Sequence, residues 1–223
     1  MTEHTPRYQL AAIGDCLSLL CPDDPRFTPF YIDFLHGKLR YRGDQAGLKR
    51  EMLARALGKK PKDQPRIVDA TAGLGRDSFI LARLGFSVTL LERSDILHAL
   101  LQNALQRAAA DTEMAPVIAR MHLIHTDAKD WLPQLSEADR PDIIYLDPMF
   151  PEREKSASVK KEMVILQHLL GKEEDGADLL ETALACSNQR VVVKRPRLAP
   201  ALSARERNFA LMGKSSRFDI YLV

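Results

Sequence analysis

From about Pro65 onward, apolar residues fall into short β-branched runs separated by longer stretches of helical spacing. Arg66-Ile67-Val68-Asp69-Ala70 is a short run of the buried-strand kind, and Phe86-Ser87-Val88-Thr89-Leu90-Leu91 is a second. Met121–His125, Asp142–Leu146, Arg190–Val193 and Phe218–Val223 supply four more. Between them, Asp77–Leu84 places Phe79, Ile80 and Leu84 on one helical face, and Gly85 follows as a natural stop. Asp95–Ala110 is a longer Leu/Ala helix, and Lys160–Leu170 and Ala177–Cys186 read as two more. Strands alternating with helices predict crossover connections and a largely parallel sheet covered on both faces, a doubly wound α/β fold.

Residues 1–64 lack this rhythm. Pro22, Pro25 and Pro29 interrupt them, Phe27, Phe30, Tyr31 and Phe34 cluster nearby, and only a helix around Leu48–Leu57 stands out. The expected division is an N-terminal extension over 1–64 and an α/β domain over 65–223. At 223 residues with 45% hydrophobic and 28% charged content, one large domain with an appendage can bury an adequate core.

The chemistry begins where the first strand meets the first helix. In Asp69-Ala70-Thr71-Ala72-Gly73-Leu74-Gly75-Arg76-Asp77, small residues allow a tight turn and close backbone approach to a ligand. A dehydrogenase would set a pyrophosphate at such a helix start. Here Asp69 and Asp77 would repel a diphosphate, while suiting a sulfonium, an ammonium or water. Glu92 ends the second strand 23 residues after Asp69, where a carboxylate can take both hydroxyls of a ribose. The combination describes a nucleoside ligand without a phosphate bridge, and S-adenosylmethionine (SAM) fits; the plain alternative is a tight turn requiring two glycines. Asp127 ends the third strand and is placed either to meet an adenine amino group or to cap the next turn.

After the fourth strand comes Asp147-Pro148-Met149-Phe150-Pro151. It is similar to the Asp/Asn-Pro-Pro-Tyr/Phe signature of enzymes that methylate exocyclic amines of nucleobases, with Met149 replacing the usual second proline. An aromatic amine is a poor nucleophile because its lone pair is delocalised into the ring. A carboxylate and a backbone carbonyl that accept its two N–H bonds favour pyramidalisation and aim the lone pair. Asp147 is the candidate carboxylate, the Pro148 carbonyl the second acceptor, and Phe150 the stacking ring. The competing assignment makes Asp147 a cap and Phe150 a core residue.

These motifs, with Leu91-Glu92-Arg93, Lys155-Ser156, Val159–Met163, Val191–Pro196, Arg217–Tyr221 and the upstream Phe30–Phe34, resemble the bacterial 16S rRNA (guanine-N2)-methyltransferases of the RsmJ type. The similarity runs from about Phe30 to the C-terminus and includes the unusual Met149. It implies a Rossmann-like class I SAM-dependent methyltransferase fold and methyl transfer from SAM to the 2-amino group of one guanosine near the 3′ end of 16S rRNA. Cofactor contacts carried over by the resemblance are Arg76, Asp77, Glu92, Arg93 and Asp147, with Asp127 and Ala128 where the family pattern can hold serines. Asp69, Gly73 and Gly75 join them from the loop itself.

Charge enters last because its total hides its distribution. The formal net is only +2. Yet Gly37–Lys62 holds nine lysines and arginines against two acids, and Arg190–Arg217 holds eight against one, so each segment carries +7 and the rest −12. Two basic segments suggest a phosphate-tracking surface. Its candidate RNA contacts are Lys38, Arg40 and Arg42 around Tyr41, Lys155, Lys160 and Lys161, and Lys194, Arg195 and Arg197. The alternative is solvated helix faces, and the acid is expected to concentrate partly in the cofactor cleft.

Other classes recede. No apolar run is long enough to span a bilayer, and Met1-Thr2-Glu3-His4 does not begin a signal peptide, so a cytoplasmic location without a membrane partner is expected. Three cysteines and six histidines lack metal-site or disulfide spacing, so no metal is expected. The expected partner is 16S rRNA or the small ribosomal subunit. Alternatives are an rRNA-binding assembly factor with a vestigial SAM pocket, an amine methyltransferase acting on another base or a protein amide, and a nicotinamide dehydrogenase, against which the acidic loop argues.

Overall fold

The computed structural model describes residues 7–148 and 175–223. Seven strands form one sheet, and its order follows from the crossovers the sequence predicts. β3 (Ile67–Asp69) lies in the interior of the sheet, flanked in parallel by β4 (Val88–Glu92) and β6 (Ile143–Leu146). β5 (Met121–His125) extends the sheet beyond β4, and β7 (Arg190–Pro196) extends it beyond β6, both in parallel. β8 (Phe209–Met212) and β9 (Ser216–Leu222) complete the order β5-β4-β3-β6-β7-β9-β8, with β9 antiparallel to both neighbours. The chain therefore builds outward from β3 in one direction, then returns to β6 and builds the other way. Such a reversal leaves a crevice beyond the carboxyl ends of the two central strands.

Period-two alternation divides the strand residues between two apolar layers. Ile67, Val88, Leu90, Ile143, Tyr145, Val192, Phe218 and Ile220 enter one core. Val68, Leu91, Ile144, Leu146, Val191, Val193 and Tyr221 enter the other. Helices α3 (Arg76–Arg83) and α4 (Asp95–Ala109) cover the first, and α7 (Gly176–Cys186) covers the second. Ser94 caps α4 by accepting the Leu97 N–H, which fixes where β4 ends and the helix begins. The expected helix over Lys160–Leu170 lies outside the described residues.

The N-terminal stretch contains more order than its sequence pattern suggested. β1 (Gln9–Ile13) and β2 (Cys16–Leu20) form an antiparallel hairpin, and Leu19 bridges to Phe30. Asn103 of α4 accepts the Leu17 N–H at 2.9 Å and donates to the Asp15 carbonyl at 3.2 Å, tying the hairpin to that helix. α1 (Gly37–Asp44) and α2 (Met52–Leu57) follow; the helix expected over Leu48–Leu57 is thus shorter at its start. Ile32, Phe34, Leu53 and Leu57 are buried with Phe79, Ile80 and Leu101 in the first core. Two short helices, α5 (Ala115–Ile118) and α6 (Ala128–Trp131), flank β5.

Candidate active site

The cleft at the sheet reversal has a volume of about 490 Å3. Its floor is the β3–α3 loop. Asp69 ends β3 with 2% exposure, accepts the Thr71 N–H at 3.2 Å and accepts the Ser78 hydroxyl at 2.5 Å. Burial pushes its carboxyl up to about 7, against the pull of those two donors. Gly73 and Gly75 take φ of +53° and +68°, in the left-handed region. A Cβ on Gly75 would stand 2.7 Å from Leu101 Cδ1 and 3.3 Å from Phe34 Cζ, so a side chain on this left-handed backbone would have to displace buried Leu101. At Gly73 a Cβ would meet nothing nearer than the Thr71 carbonyl at 3.9 Å, so that wall of the cleft is open for close approach.

Glu92 is 5% exposed at the end of β4. Its Oε2 accepts the Gly73 N–H and its Oε1 the Ser94 N–H, each at 2.8 Å, which locks the carboxylate between the loop and the start of α4. Asp127 lines the cleft and also caps α6 by accepting the Lys129 N–H at 2.8 Å, so the two roles weighed from sequence are compatible. Ala128 is the buried first residue of α6. Arg93 joins this side to Asp127 at 3.4 Å and to Asp175, at the start of α7, at 2.9 Å. Lys129 reaches Asp175 at 2.6 Å. Its ammonium and the Arg93 guanidinium hold Asp175 below the usual carboxylate range, overcoming a smaller opposing effect of burial.

The opposite wall is a chain of charges. Asp147 follows β6, and its N–H donates to Thr71 Oγ1 at 2.6 Å, fixing its position against the loop. Lys194, near the end of β7, donates from Nζ to Asp77 Oδ2 and to Asp147 Oδ2, both at 2.7 Å. The Tyr145 hydroxyl donates to Asp77 Oδ2 at 2.7 Å, and Arg42 from α1 approaches Asp77 Oδ1 at 3.7 Å. Burial raises the cost of charge on Asp77, but Lys194, Tyr145 and Arg42 outweigh it and hold the carboxyl below its ordinary range. For Asp147 burial wins over Lys194, and the carboxyl is pushed up to about 6. Pro148 is buried beside it. Met149 and Phe150, and with Phe150 the expected stacking role, lie outside the described residues, as do Lys155, Lys160 and Lys161.

Two expectations change. Among the described residues the cleft is balanced rather than acidic: Asp69, Asp77, Glu92, Asp127, Asp147 and Asp175 are matched by Arg42, Arg76, Arg93, Lys129, Lys194 and Arg195. The basic segments are also not uniformly surface. Arg195 is 4% exposed, and Lys194 lies inside the cleft between two carboxylates, so neither presents its charge on an outer face. Arg40 pairs with Glu113 at 2.5 Å and Arg42 with Glu51 at 2.7 Å, while Lys38 and Arg197 are exposed. Exposed Arg76 lines the cleft mouth. Sequence reasoning missed Thr71, Tyr145, Lys129 and Asp175. Lys194 was legible as a cleft residue in one respect: it stands at the carboxyl end of a parallel strand, where ligand-facing groups gather.

A balanced lining suits a ligand bearing both signs together with a ribose. SAM has that character, with a sulfonium, an ammonium and a carboxylate, and the open wall at Gly73 and the Glu92 carboxylate fit its nucleoside. Fold and cleft together define a class I SAM-dependent methyltransferase. The comparisons agree. The SAM-dependent methyltransferase family model matches residues 1–223. Ribosomal RNA small subunit methyltransferase J of Thioalkalivibrio sulfidiphilus is 52% identical over 94% of this chain and 81% of its own length. The protein of that name from Dechloromonas aromatica is 50% identical over 96% and 86%. A crystal structure of a SAM-dependent methyltransferase from Neisseria gonorrhoeae superposes with a TM-score of 0.78 at 34% identity, covering 99% of this chain and 85% of that one. The chain belongs to this family, that of the ribosomal RNA small subunit methyltransferases J, and its cofactor is SAM.

Proposed function

We propose that the protein transfers a methyl group from SAM to the exocyclic N2 of a guanosine near the 3′ end of 16S rRNA. Asp147 carries this reading. It stands between β6 and Pro148, is fixed through its own N–H to Thr71, and faces the cleft that the cofactor loop also lines. When bound, SAM supplies an electrophilic methyl on a sulfonium. The chain's own groups then orient the amine: the Asp147 carboxylate accepts one N–H, the Pro148 carbonyl the other, and Phe150 stacks on the base. Alignment does most of the work, since the methylated ammonium loses its proton readily and no strong base is required. Asp69, Gly73, Gly75, Arg76, Asp77, Glu92, Arg93, Asp127 and Ala128 hold the cofactor.

In this reading 65–223 is the methyltransferase unit and 1–64 an extension that brings Arg42 to the cleft and Lys38 and Tyr41 to its outside; Tyr41 is 70% exposed and free to stack on an unpaired base. Lys38 and Arg197, with Lys155, Lys160 and Lys161, are the RNA contacts, and the partner is 16S rRNA or the small subunit in the cytoplasm. No helix among the described residues is long and apolar enough to cross a membrane. The test is transfer of labelled methyl from SAM to 16S rRNA by wild type and Asp147→Ala. Loss of one aligned acceptor is expected to lower kcat by about 10²-fold or more, with RNA affinity within about twofold. Equal transfer by both proteins contradicts the assignment. An assembly factor with a vestigial pocket predicts RNA binding and no transfer by either.

A further inference from the structure

Lys194 is the one feature of the cleft that its assignment as an RNA contact leaves unexplained. A single ammonium is shared between two carboxylates, Asp77 Oδ2 and Asp147 Oδ2, at 2.7 Å from each. Those carboxylates come from different elements, the first turn of α3 and the end of β6, and they meet because β3, β6 and β7 are adjacent in parallel register. The Tyr145 hydroxyl occupies Asp77 Oδ2 as well, and Arg42 covers Asp77 Oδ1 from α1. Among the described residues Asp77 has three such partners, whereas Lys194 is the cation bonded to Asp147. Asp77 sets negative charge against Asp147 on this wall, buried Asp69 at the end of the neighbouring strand is pushed up to about 7, and Arg195 lies next along β7. Left among these acids without Lys194, Asp147 would take up a proton, and a protonated carboxyl oxygen donates where the mechanism needs it to accept.

We propose that Lys194 is a positioning residue that holds Asp147 ionised and oriented toward the incoming amine, and that it acts through Asp147 and not through RNA phosphate. The inference rests on the function proposed for Asp147. The two carboxylates in turn hold the ammonium charged: burial works against it, but their attraction raises it above the ordinary lysine range. Lys194→Arg preserves the charge and a donor for each carboxylate; Lys194→Met keeps an unbranched side chain one atom shorter and removes both.

The experiment has two arms. In the first, kcat and KM for methylation are measured between pH 5.5 and 9 for wild type, Lys194→Met and Lys194→Arg. The expected result is an acidic limb displaced upward by about one to two pH units in Lys194→Met, with kcat at pH 7 reduced about tenfold or more and recovering as pH rises. KM for RNA and its salt dependence stay within about twofold, and Lys194→Arg keeps the wild-type limb. In the second arm, carbon-13 NMR follows the Asp147 carboxyl titration in ligand-free wild type and Lys194→Met, assigned by its loss in Asp147→Asn. The titration is expected to shift upward in the Met variant; this readout does not depend on which RNA is methylated, so absence of methylation by wild type would sink the function while leaving the second arm decisive. An unshifted carboxyl titration, or a Lys194→Met variant whose only defect is a higher KM for RNA, overturns the proposal. If Lys194→Met does not fold, Lys194→Gln is carried through both arms with the same criteria.

Discussion

Buried Asp69 and half-buried Asp147 are the two cleft aspartates expected to give the site its pH dependence, and they act on different observables. Desolvation in the cleft pushes the Asp147 carboxyl up to about 6, so below that pH it gains an O–H donor and loses the negative charge that makes it a strong acceptor. The account predicts that kcat/KM of the wild type falls about tenfold per unit as pH drops below 6, and a stopped pH series with saturating SAM checks it. Asp69 bears on stability. Its folded value of about 7 lies above the ordinary 3.8, so the folded state holds that proton more tightly than the unfolded chain does. The associated stability is present at about pH 4 and is lost as pH rises toward 7. Asp69→Asn, which does not titrate, is therefore expected to unfold at higher urea than wild type at pH 8.5 and to show little or no such gain near pH 4.5. Weaker SAM binding should accompany it. A gain independent of pH would contradict the burial argument.

At the scale of elements, the β3–α3 loop sets the geometry of everything else. Gly75 combines a left-handed φ with contact to Leu101 and Phe34, so Gly75→Ala carries both backbone strain and a clash. The expected cost is about 2–4 kcal/mol in chemical denaturation, with reduced SAM affinity by calorimetry. This loop was legible in the sequence because its signals are local: an acid after a β-branched run, two glycines, and an acid in the first helical turn. The six main strands and α4 were legible for the same reason, since each is long or apolar enough to announce its period. β8 was not, because Phe209–Met212 is a four-residue edge strand with little burial to pattern it. α1 and the β1–β2 hairpin escaped too. Gly37–Asp44 buries only Gly43, and β1 leaves most of its residues exposed, so neither α1 nor β1 has a run of buried apolar positions to read. Thr71, Tyr145, Lys129 and Asp175 acquire their roles only when separate elements converge, which no single stretch of sequence displays.

For the whole molecule, charge distribution matters more than charge total. Within the two basic segments Arg40 pairs with Glu113, Arg42 with Glu51, and Lys194 with Asp77 and Asp147. In the proposed reading, the set of cations left to face RNA phosphate is correspondingly smaller than the sequence count of seventeen basic residues in those segments. Replacing exposed Lys38 and Arg197 together by alanine is expected to weaken RNA binding several-fold and lower the slope of log Kd against log salt by about one to two, leaving SAM affinity unchanged. An unchanged slope would place the RNA on another face. The central claim is that a SAM-loaded cleft, ordered around Asp147, methylates guanine N2. The most direct measurement is nucleoside mass spectrometry of 16S rRNA, naked and within small subunits, from cells lacking the activity and incubated with the protein and SAM. The account predicts one new N2-methylguanosine near the 3′ end in at least one of these substrates. Its absence from both, with SAM binding intact, would contradict the account.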